Sequence, residues 1–403
     1  MKVCMLTSSF PRFKGDPAGI FIYNLCLQLI RKGVDIEVIA PHHHGCEFLE
    51  NRDGIKIHRF PYFYPFKYQR LSYGAGTLQN VRQSVPAMVQ LPFFIIAEIL
   101  YSLWRIKRGK TDVIHAHWSM PQGLIGVFCG YLSGVPCVTT IHGSDIYGLK
   151  LPLINALNAK VIQCSDVCTA NSKPTARAIR EISGREDIEI VPMGIDPNFF
   201  KRSSEVRDLR KRLGVGGKAI LFIGRLIDWK GTEYLIKALP KILETYPGTK
   251  LLLVGSGPQK RRLVTLSRSL GITNTVLFIG EVGQEELPKF YSLATVFVLP
   301  SIVNDKGETE GLGVVLLEAM ACGLPVIGSN VGGIPDIISD GETGLLATPK
   351  DPDDLARKII RLLSDETLRK SLIENGLNLV RNNFSWDVIA DEFEMLYRNT
   401  VAL

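Results

Sequence analysis

Short apolar runs of four to six residues alternate with stretches whose apolar positions recur at helical spacing, from one end of the chain to the other. This alternation predicts parallel sheets built from strand–helix–strand units. In the first half the predicted strands are Val3–Leu6, Ile36–Ala40, Ile55–Phe60, Val113–His117, Cys137–Ile141, Val167–Ala170 and Ile188–Val191. Helices fill the gaps, most clearly Ile20–Lys32, Pro92–Ile106 and Pro174–Glu181. In the second half the strands read Ala219–Ile223, Leu251–Val254, Val276–Ile279, Val296–Leu299, Val326–Ser329 and Gly344–Ala347.

Between the halves a charged helical stretch, Lys201–Leu213, ends in Gly214-Val-Gly-Gly217, a linker signal. The pattern reads as two doubly wound domains, 1–197 and 198–384. A last helical stretch, Ser385–Tyr397, lies in a segment 385–403 that crosses back to the first domain. A chain of 403 residues suits that division. Open α/β sheets bind ligands at the carboxyl ends of their strands, so the chemistry is expected just after strands, in a cleft where two such edges face each other.

Composition narrows the function. With 46% hydrophobic and 22% charged residues the chain is globular rather than disordered. The net charge of +7 is spread out, with no long basic run, so a nucleic-acid arm is excluded. Anionic small ligands or an anionic membrane surface remain as partners. Eight cysteines lie far apart with no CxxC pair, which reads as buried free thiols in a reducing compartment. The N-terminus runs straight into a strand, Lys2-Val-Cys-Met-Leu6, with no leader pattern, and the expected location is cytoplasmic. The apolar stretch Pro92–Ile106, broken by Glu98 and Arg105, is shorter than a spanning helix. It is either a buried core helix or one lying in the headgroup layer of the inner leaflet, with Lys107, Arg108 and Lys110 as its basic edge.

The sharpest local signal is Glu310-Gly-Leu-Gly-Val-Val-Leu-Leu-Glu318. Residues eight apart on a helix are about 80° out of phase and roughly 12 Å apart along the axis, so both acids can touch one elongated ligand. Gly311, Leu312 and Gly313 open a helix whose first amides and positive dipole end suit a phosphate. Glu318 stands among Val, Leu, Ala and Met, where a lone acid needs a partner or a ligand.

With the trailing Glu-Ala-Met-Ala-Cys-Gly-Leu-Pro-Val-Ile, this segment resembles the retaining glycosyltransferases of family four. The resemblance implies the GT-B fold: two Rossmann-like domains with parallel sheets facing across a deep cleft. It also implies a nucleotide-diphosphate sugar, UDP- or GDP-linked, as donor and a glycan or lipid-linked acceptor, with no cofactor and no metal. By the same resemblance Glu310 contacts hydroxyls of the donor sugar and Glu318 holds the ribose.

Other motifs fit that reading. After a predicted strand, Gly224-Arg225-Leu226 and Asp228-Trp-Lys230 place two cations where a departing diphosphate gains charge. The resemblance likewise puts Arg225 and Lys230 on the diphosphate. Gly15-Asp-Pro-Ala-Gly19 opens a helix after the first strand. Relatives carry paired glycines there; Ala18 replaces one, and Gly19 remains a donor-site candidate. His142, in Thr-Ile-His-Gly-Ser-Asp145, follows another strand, and the resemblance sets it beside the reacting sugar. Asp145 either orients substrate or caps the next helix, and Asn171-Ser172 either lines the cleft or caps a helix. The resemblance also assigns Gly257 to packing around the nucleoside, and Glu281 and Val282 to reading the base.

His115-Ala-His117 has metal-like spacing without a third ligand, so His117 is read as packing near the acceptor. His42-His43-His44 reads as a solvated loop, and Asp351-Pro-Asp353 as a helix cap rather than a metal site. A sugar-nucleotide epimerase, a glycoside phosphorylase and a non-catalytic sugar-nucleotide-binding subunit are the competing readings.

Overall fold

The computed structural model describes residues 1–74, 76–147 and 152–402. The chain divides into two compact units, Met1–Pro192 with Trp386–Leu403, and Met193–Ser385.

The first unit holds strands β1 (Lys2–Leu6), β2 (Asp35–Pro41), β3 (Leu49–Arg52), β4 (Ile55–Phe60), β5 (Val113–His117), β6 (Cys137–Ile141), β7 (Val167–Ala170) and β8 (Ile188–Ile190). Between them run α1 (Ile20–Arg31), α2 (Thr77–Gln83), α3 (Val85–Gly109), α4 (Leu124–Ser133), α5 (Ser144–Tyr147), α6 (Pro152–Cys164) and α7 (Lys173–Ser183). The sheet order is β3-β4-β2-β1-β5-β6-β7-β8, parallel except for β3. From β1 the chain winds outward through β2 and then returns to β5 on β1's other side, so strand order switches between β1 and β5. Both faces are covered by helices, which is why β1, β5 and β6 read as unbroken buried runs.

The second unit holds α8 (Arg207–Arg212), β9 (Ala219–Ile223), α9 (Thr232–Thr245), β10 (Lys250–Val254), α10 (Lys260–Ser269), β11 (Val276–Gly280) and α11 (Leu287–Leu293). It continues through β12 (Val296–Leu299), α12 (Val314–Ala321), β13 (Val326–Ser329), β14 (Leu345–Ala347), α13 (Pro352–Ser364) and α14 (Glu366–Leu379). Its sheet, β11-β10-β9-β12-β13-β14, is wholly parallel and switches direction between β9 and β12. A last helix, α15 (Trp386–Ala402), belongs to the first unit. There Lys32 pairs with Asp387 at 3.0 Å and Asp391 at 2.7 Å, and Tyr397 bonds His115 at 2.6 Å.

Several expectations need correction. The edge strand β3 is new: Leu-Glu-Asn-Arg lacks an apolar run because an edge strand faces water. Its turn, Asp53-Gly54 with φ of 53° and 86°, is the two-residue hairpin signal. Of Lys201–Leu213 only Arg207–Arg212 is helical. Ahead of it the Ser203 hydroxyl accepts the Glu205 amide, a local bond that competes with helix. The helix expected at Pro92–Ile106 extends over Val85–Gly109, with Pro86 in its first turn and Pro92 on its exposed side. His42 is not solvated: its ring is buried, stacked on Phe48 and bonded to Gln69 at 2.8 Å. Among the cysteines Cys164 is exposed and Cys46 partly so, while the other six are buried.

Candidate active site

In the second unit the loops after β9 and β12, the strands flanking the switch point, meet. Lys230, in a single 3-10 turn ahead of α9, donates to Glu310 Oε2 at 2.6 Å, and the buried Ser301 hydroxyl donates to the same oxygen at 3.1 Å. Glu310 is itself only 8% exposed, so the pair is largely shielded from water. Lys230 also lies 4.8 Å from the Trp229 ring centroid, and the Trp229 carbonyl accepts the Ile302 amide at 2.8 Å. Asn304 ties the two loops further, donating to Asp228 at 3.0 Å and to Glu308 at 2.9 Å. Arg225 stands exposed on the same loop as Lys230.

Three residues beyond Glu310, Gly313 takes the left-handed conformation (φ 95°) that starts α12, and no side chain caps the helix. The Leu316 amide bonds the Gly313 carbonyl at 2.8 Å, while the Val314 and Val315 amides, with no side-chain cap, suit a ligand beside the Gly311-Leu312-Gly313 backbone. Glu318, five residues into α12, accepts the Tyr291 hydroxyl at 2.6 Å. Desolvation pushes its carboxyl up to about 7, only partly offset by that bond. Ser256 donates to Glu281, joining the loops after β10 and β11, while Val282 packs against the core. Gly257 lies against Leu226: a Cβ there would come 2.3 Å from the Leu226 carbonyl oxygen.

In the first unit His117 ends β5 and His142 follows β6. His117 Nδ1 and His142 Nε2 share a hydrogen bond of 3.2 Å, with the rings stacked. Phe21 and Trp118 each lie 5.0 Å from the His142 ring, making an aromatic wall. Burial pushes His142 down to about 3 and His117 well below its usual value, so both imidazoles are neutral near pH 7. The Asn171 side chain donates to the His142 carbonyl at 3.2 Å, and it is Ser172 that caps α7. Asp145 accepts the Ser119 amide at 2.9 Å, and desolvation raises its carboxyl to about 6. Gly19 starts α1 at φ 66°, and a Cβ there would sit 2.2 Å from the Ser9 carbonyl oxygen. The neighbouring Ala18 amide is taken by Asp16 at 3.2 Å.

Residues 18–199 match Glycosyltransferase Family 4, and residues 206–379 match Glycosyl transferases group 1. An uncharacterized glycosyltransferase of Methanocaldococcus jannaschii is 32% identical over 412 residues, covering 99% of this chain and 98% of that protein. The chain belongs to this glycosyltransferase family. A D-inositol 3-phosphate glycosyltransferase of Acidothermus cellulolyticus is likewise 32% identical, over 96% of this chain and 87% of its own. The fold matches sucrose-phosphate synthase from Thermosynechococcus elongatus, with a TM-score of 0.76 at 24% identity over 100% and 99% of the two chains. The architecture is thus GT-B: two α/β domains with parallel sheets.

Within this glycosyltransferase the structure brings Lys230 and Glu310 into contact and sets Arg225 on the same loop as Lys230. Sequence reasoning missed Tyr291 and Ser301, which bond Glu318 and Glu310 in the second unit, and Phe21 and Trp118, which pack on His142 in the first. It also missed Gly332-Gly333. A Cβ on Gly332 would stand 2.1 Å from the Glu310 carbonyl oxygen, and the Gly333 amide bonds that same carbonyl at 3.1 Å. The adjacent glycines were a readable signal; the hydroxyls were not. Asp351 caps α13, accepting the Asp353 and Asp354 amides, both at 2.9 Å. Among the described residues no group of three or more His, Cys, Asp or Glu is gathered to hold a metal ion.

Proposed function

We propose that this glycosyltransferase moves a hexosyl unit, with retention at the anomeric carbon and without a metal, from a UDP- or GDP-sugar to a glycan or lipid-linked acceptor on the cytoplasmic face of a membrane. The observation that carries the reading is the shielded Lys230–Glu310 pair at the switch point, with Arg225 on the same loop and an uncapped helix start three residues on. Cations and amides suit a diphosphate, and acids suit sugar and ribose hydroxyls.

In this scheme the donor diphosphate takes Lys230 and Arg225, which releases Glu310 to accept hydroxyls of the sugar. Glu318 accepts the ribose hydroxyls, while Gly257, Glu281 and Val282 face the base. As the bond from the anomeric carbon to the phosphate oxygen breaks, the acceptor oxygen bonds that carbon from the same face. Its proton passes to the departing phosphate. Lys230 and Arg225 meet the charge that grows on the diphosphate, a role whose loss typically costs about 10²–10³ in rate. His142, held neutral, serves the sugar through hydrogen bonds rather than as a cation. Asp145, Asn171 and His117 shape its surroundings, and Gly19 gives the chain room to turn into α1.

The test is to incubate the protein with UDP- and GDP-sugars and lipid-linked acceptors, with and without EDTA. Nucleoside diphosphate release, an α-linked product from an α-linked donor and indifference to EDTA are expected. A requirement for free phosphate would make it a phosphorylase. Interconversion of sugar nucleotides without acceptor would make it an epimerase. Binding without turnover would leave a sugar-nucleotide-binding subunit.

A further inference from the structure

α3 is built inside out. Its buried side carries Gln90, Glu98 and Ser102 beside Ala87, Phe94 and Ile106. Gln90 is held there by the Arg70 amide at 3.0 Å and the Tyr68 carbonyl at 2.8 Å, and Glu98 by Gln122 at 3.2 Å. The outward side is Val85, Met88, Val89, Phe93, Ile96, Leu100 and Trp104, with Phe93, Ile96 and Leu100 exposed by 54%, 56% and 64%. At 100° per residue these seven positions fall in an arc of about 160° and run for roughly 29 Å. No charge interrupts them, because the single acid between Val85 and Lys110 is the buried Glu98. A helix on a water-facing surface has the opposite arrangement. The adjoining α4 adds Phe128, Tyr131 and Leu132, also exposed. So long an apolar stripe is not the scattered exposure of an ordinary surface.

Charge indicates what covers it. Past the stripe's C-terminal end Lys107, Arg108 and Lys110 are all exposed, and the Trp104 ring lies 5.4 Å from the Arg105 guanidinium and 5.3 Å from that of Arg108. Near the other end the loop bonded to Gln90 presents Lys67 and Arg70 together with Tyr64 and Tyr68. Aromatic rings at the polar boundary and basic residues beyond them are the pattern of a helix lying in the plane of an anionic bilayer. Among the described residues α3 is the one helix long and apolar enough to cross a membrane. Its polar side, however, is bonded into the first unit, so it lies on the surface instead of spanning.

We propose that α3 seats the first unit on an anionic lipid bilayer, with the Val85–Trp104 stripe at the headgroup–acyl boundary and Lys107, Arg108 and Lys110 on lipid phosphates. The inference deepens the membrane-side acceptor reading above and rests on it. Flotation of the purified full chain with phosphatidylglycerol–phosphatidylcholine vesicles, without donor or acceptor, tests it. Binding is expected to the mixed vesicles, at least about tenfold weaker to phosphatidylcholine alone, and weakened by salt. Ile96→Glu with Leu100→Glu, and Lys107→Glu with Arg108→Glu, should each cut vesicle binding by at least about tenfold. Both double variants should keep the circular-dichroism spectrum and the affinity for UDP or GDP. The proposal is overturned if the wild type ignores anionic vesicles, or if the variants float as it does. It is also overturned if light scattering shows a dimer that the stripe variants dissociate, since a second copy then covers the face. Lost vesicle binding with intact nucleotide binding sinks this inference alone; absent nucleotide binding sinks the donor reading.

Discussion

Lys230 and Glu310 neutralise each other across 2.6 Å, though they are 80 residues apart in the chain. Each is the other's counterion, with Ser301 as a third member. On the proposed reading, a diphosphate that draws Lys230 away leaves Glu310 short of a partner, which a sugar hydroxyl then supplies. Donor binding and re-pairing of this acid become one event.

Removing one member of the pair is expected to hurt twice. Lys230→Met should lower kcat by about 10²–10³ and, by leaving a shielded carboxylate unpaired, lower stability by about 2 kcal/mol. Adding Glu310→Gln should return much of that stability while leaving the enzyme inactive. Urea unfolding and turnover assays on the single and double variants check this; a double variant as unstable as the single would contradict it.

Glu318 should make donor binding depend on pH. Burial pushes its carboxyl up to about 7, and in the proposed role it accepts ribose hydroxyls best when ionised. Affinity for the nucleoside diphosphate should thus fall up to tenfold per unit as pH drops below about 7. The stability sign is opposite: the folded state holds this proton more tightly than the ordinary value of 4.5, so its contribution is lost as pH rises from there to about 7. Glu318→Gln should flatten the binding profile and stabilise the free protein at pH 8. Tyr291→Phe, which removes a bond favouring the ionised form, should move the binding midpoint upward. Calorimetric titrations across pH decide.

His117 should act through His142. Its Nδ1 shares the one proton between the two rings and fixes which way His142 faces. His117→Phe keeps a ring of similar size and should lower kcat about five- to tenfold with little change in donor KM. A change confined to KM would refute that role.

Gly332 offers a test of position without loss of chemistry. At φ 54°, with a Cβ only 2.1 Å from the Glu310 carbonyl oxygen, Gly332→Ala must push the Glu310 backbone aside. A displacement of about 1 Å should cost on the order of 10² in kcat. Wild-type turnover in a folded Gly332→Ala protein would show that Glu310's placement does not matter.

What the sequence disclosed follows from what local pattern encodes. Among the described residues thirteen of the fourteen strands were legible, most readily those such as β1, β9 and β12 that are apolar because both their faces are covered. Glu318 stood out because an acid is rare among Val, Leu, Ala and Met, and Glu310 because it leads the glycine-rich turn into the same helix. Tyr291 and Ser301 were hidden, since a hydroxyl that pairs with an acid 27 or 9 positions away leaves no periodic mark. The outward face of α3 was hidden for a related reason. Periodicity finds an apolar side but assigns it inward by default, and Gln90, Glu98 and Ser102 reverse the assignment only once their partners are seen.

The pairing of Tyr397 with His115 joins residues made at very different times. A ribosome delivers α15 only after all of Met193–Ser385 has been synthesised. The second unit can fold first, as a complete insert, while the first waits with β5 and Lys32 uncovered. On the proposed reading, newly made molecules should therefore gain nucleotide affinity before the histidine pocket matures.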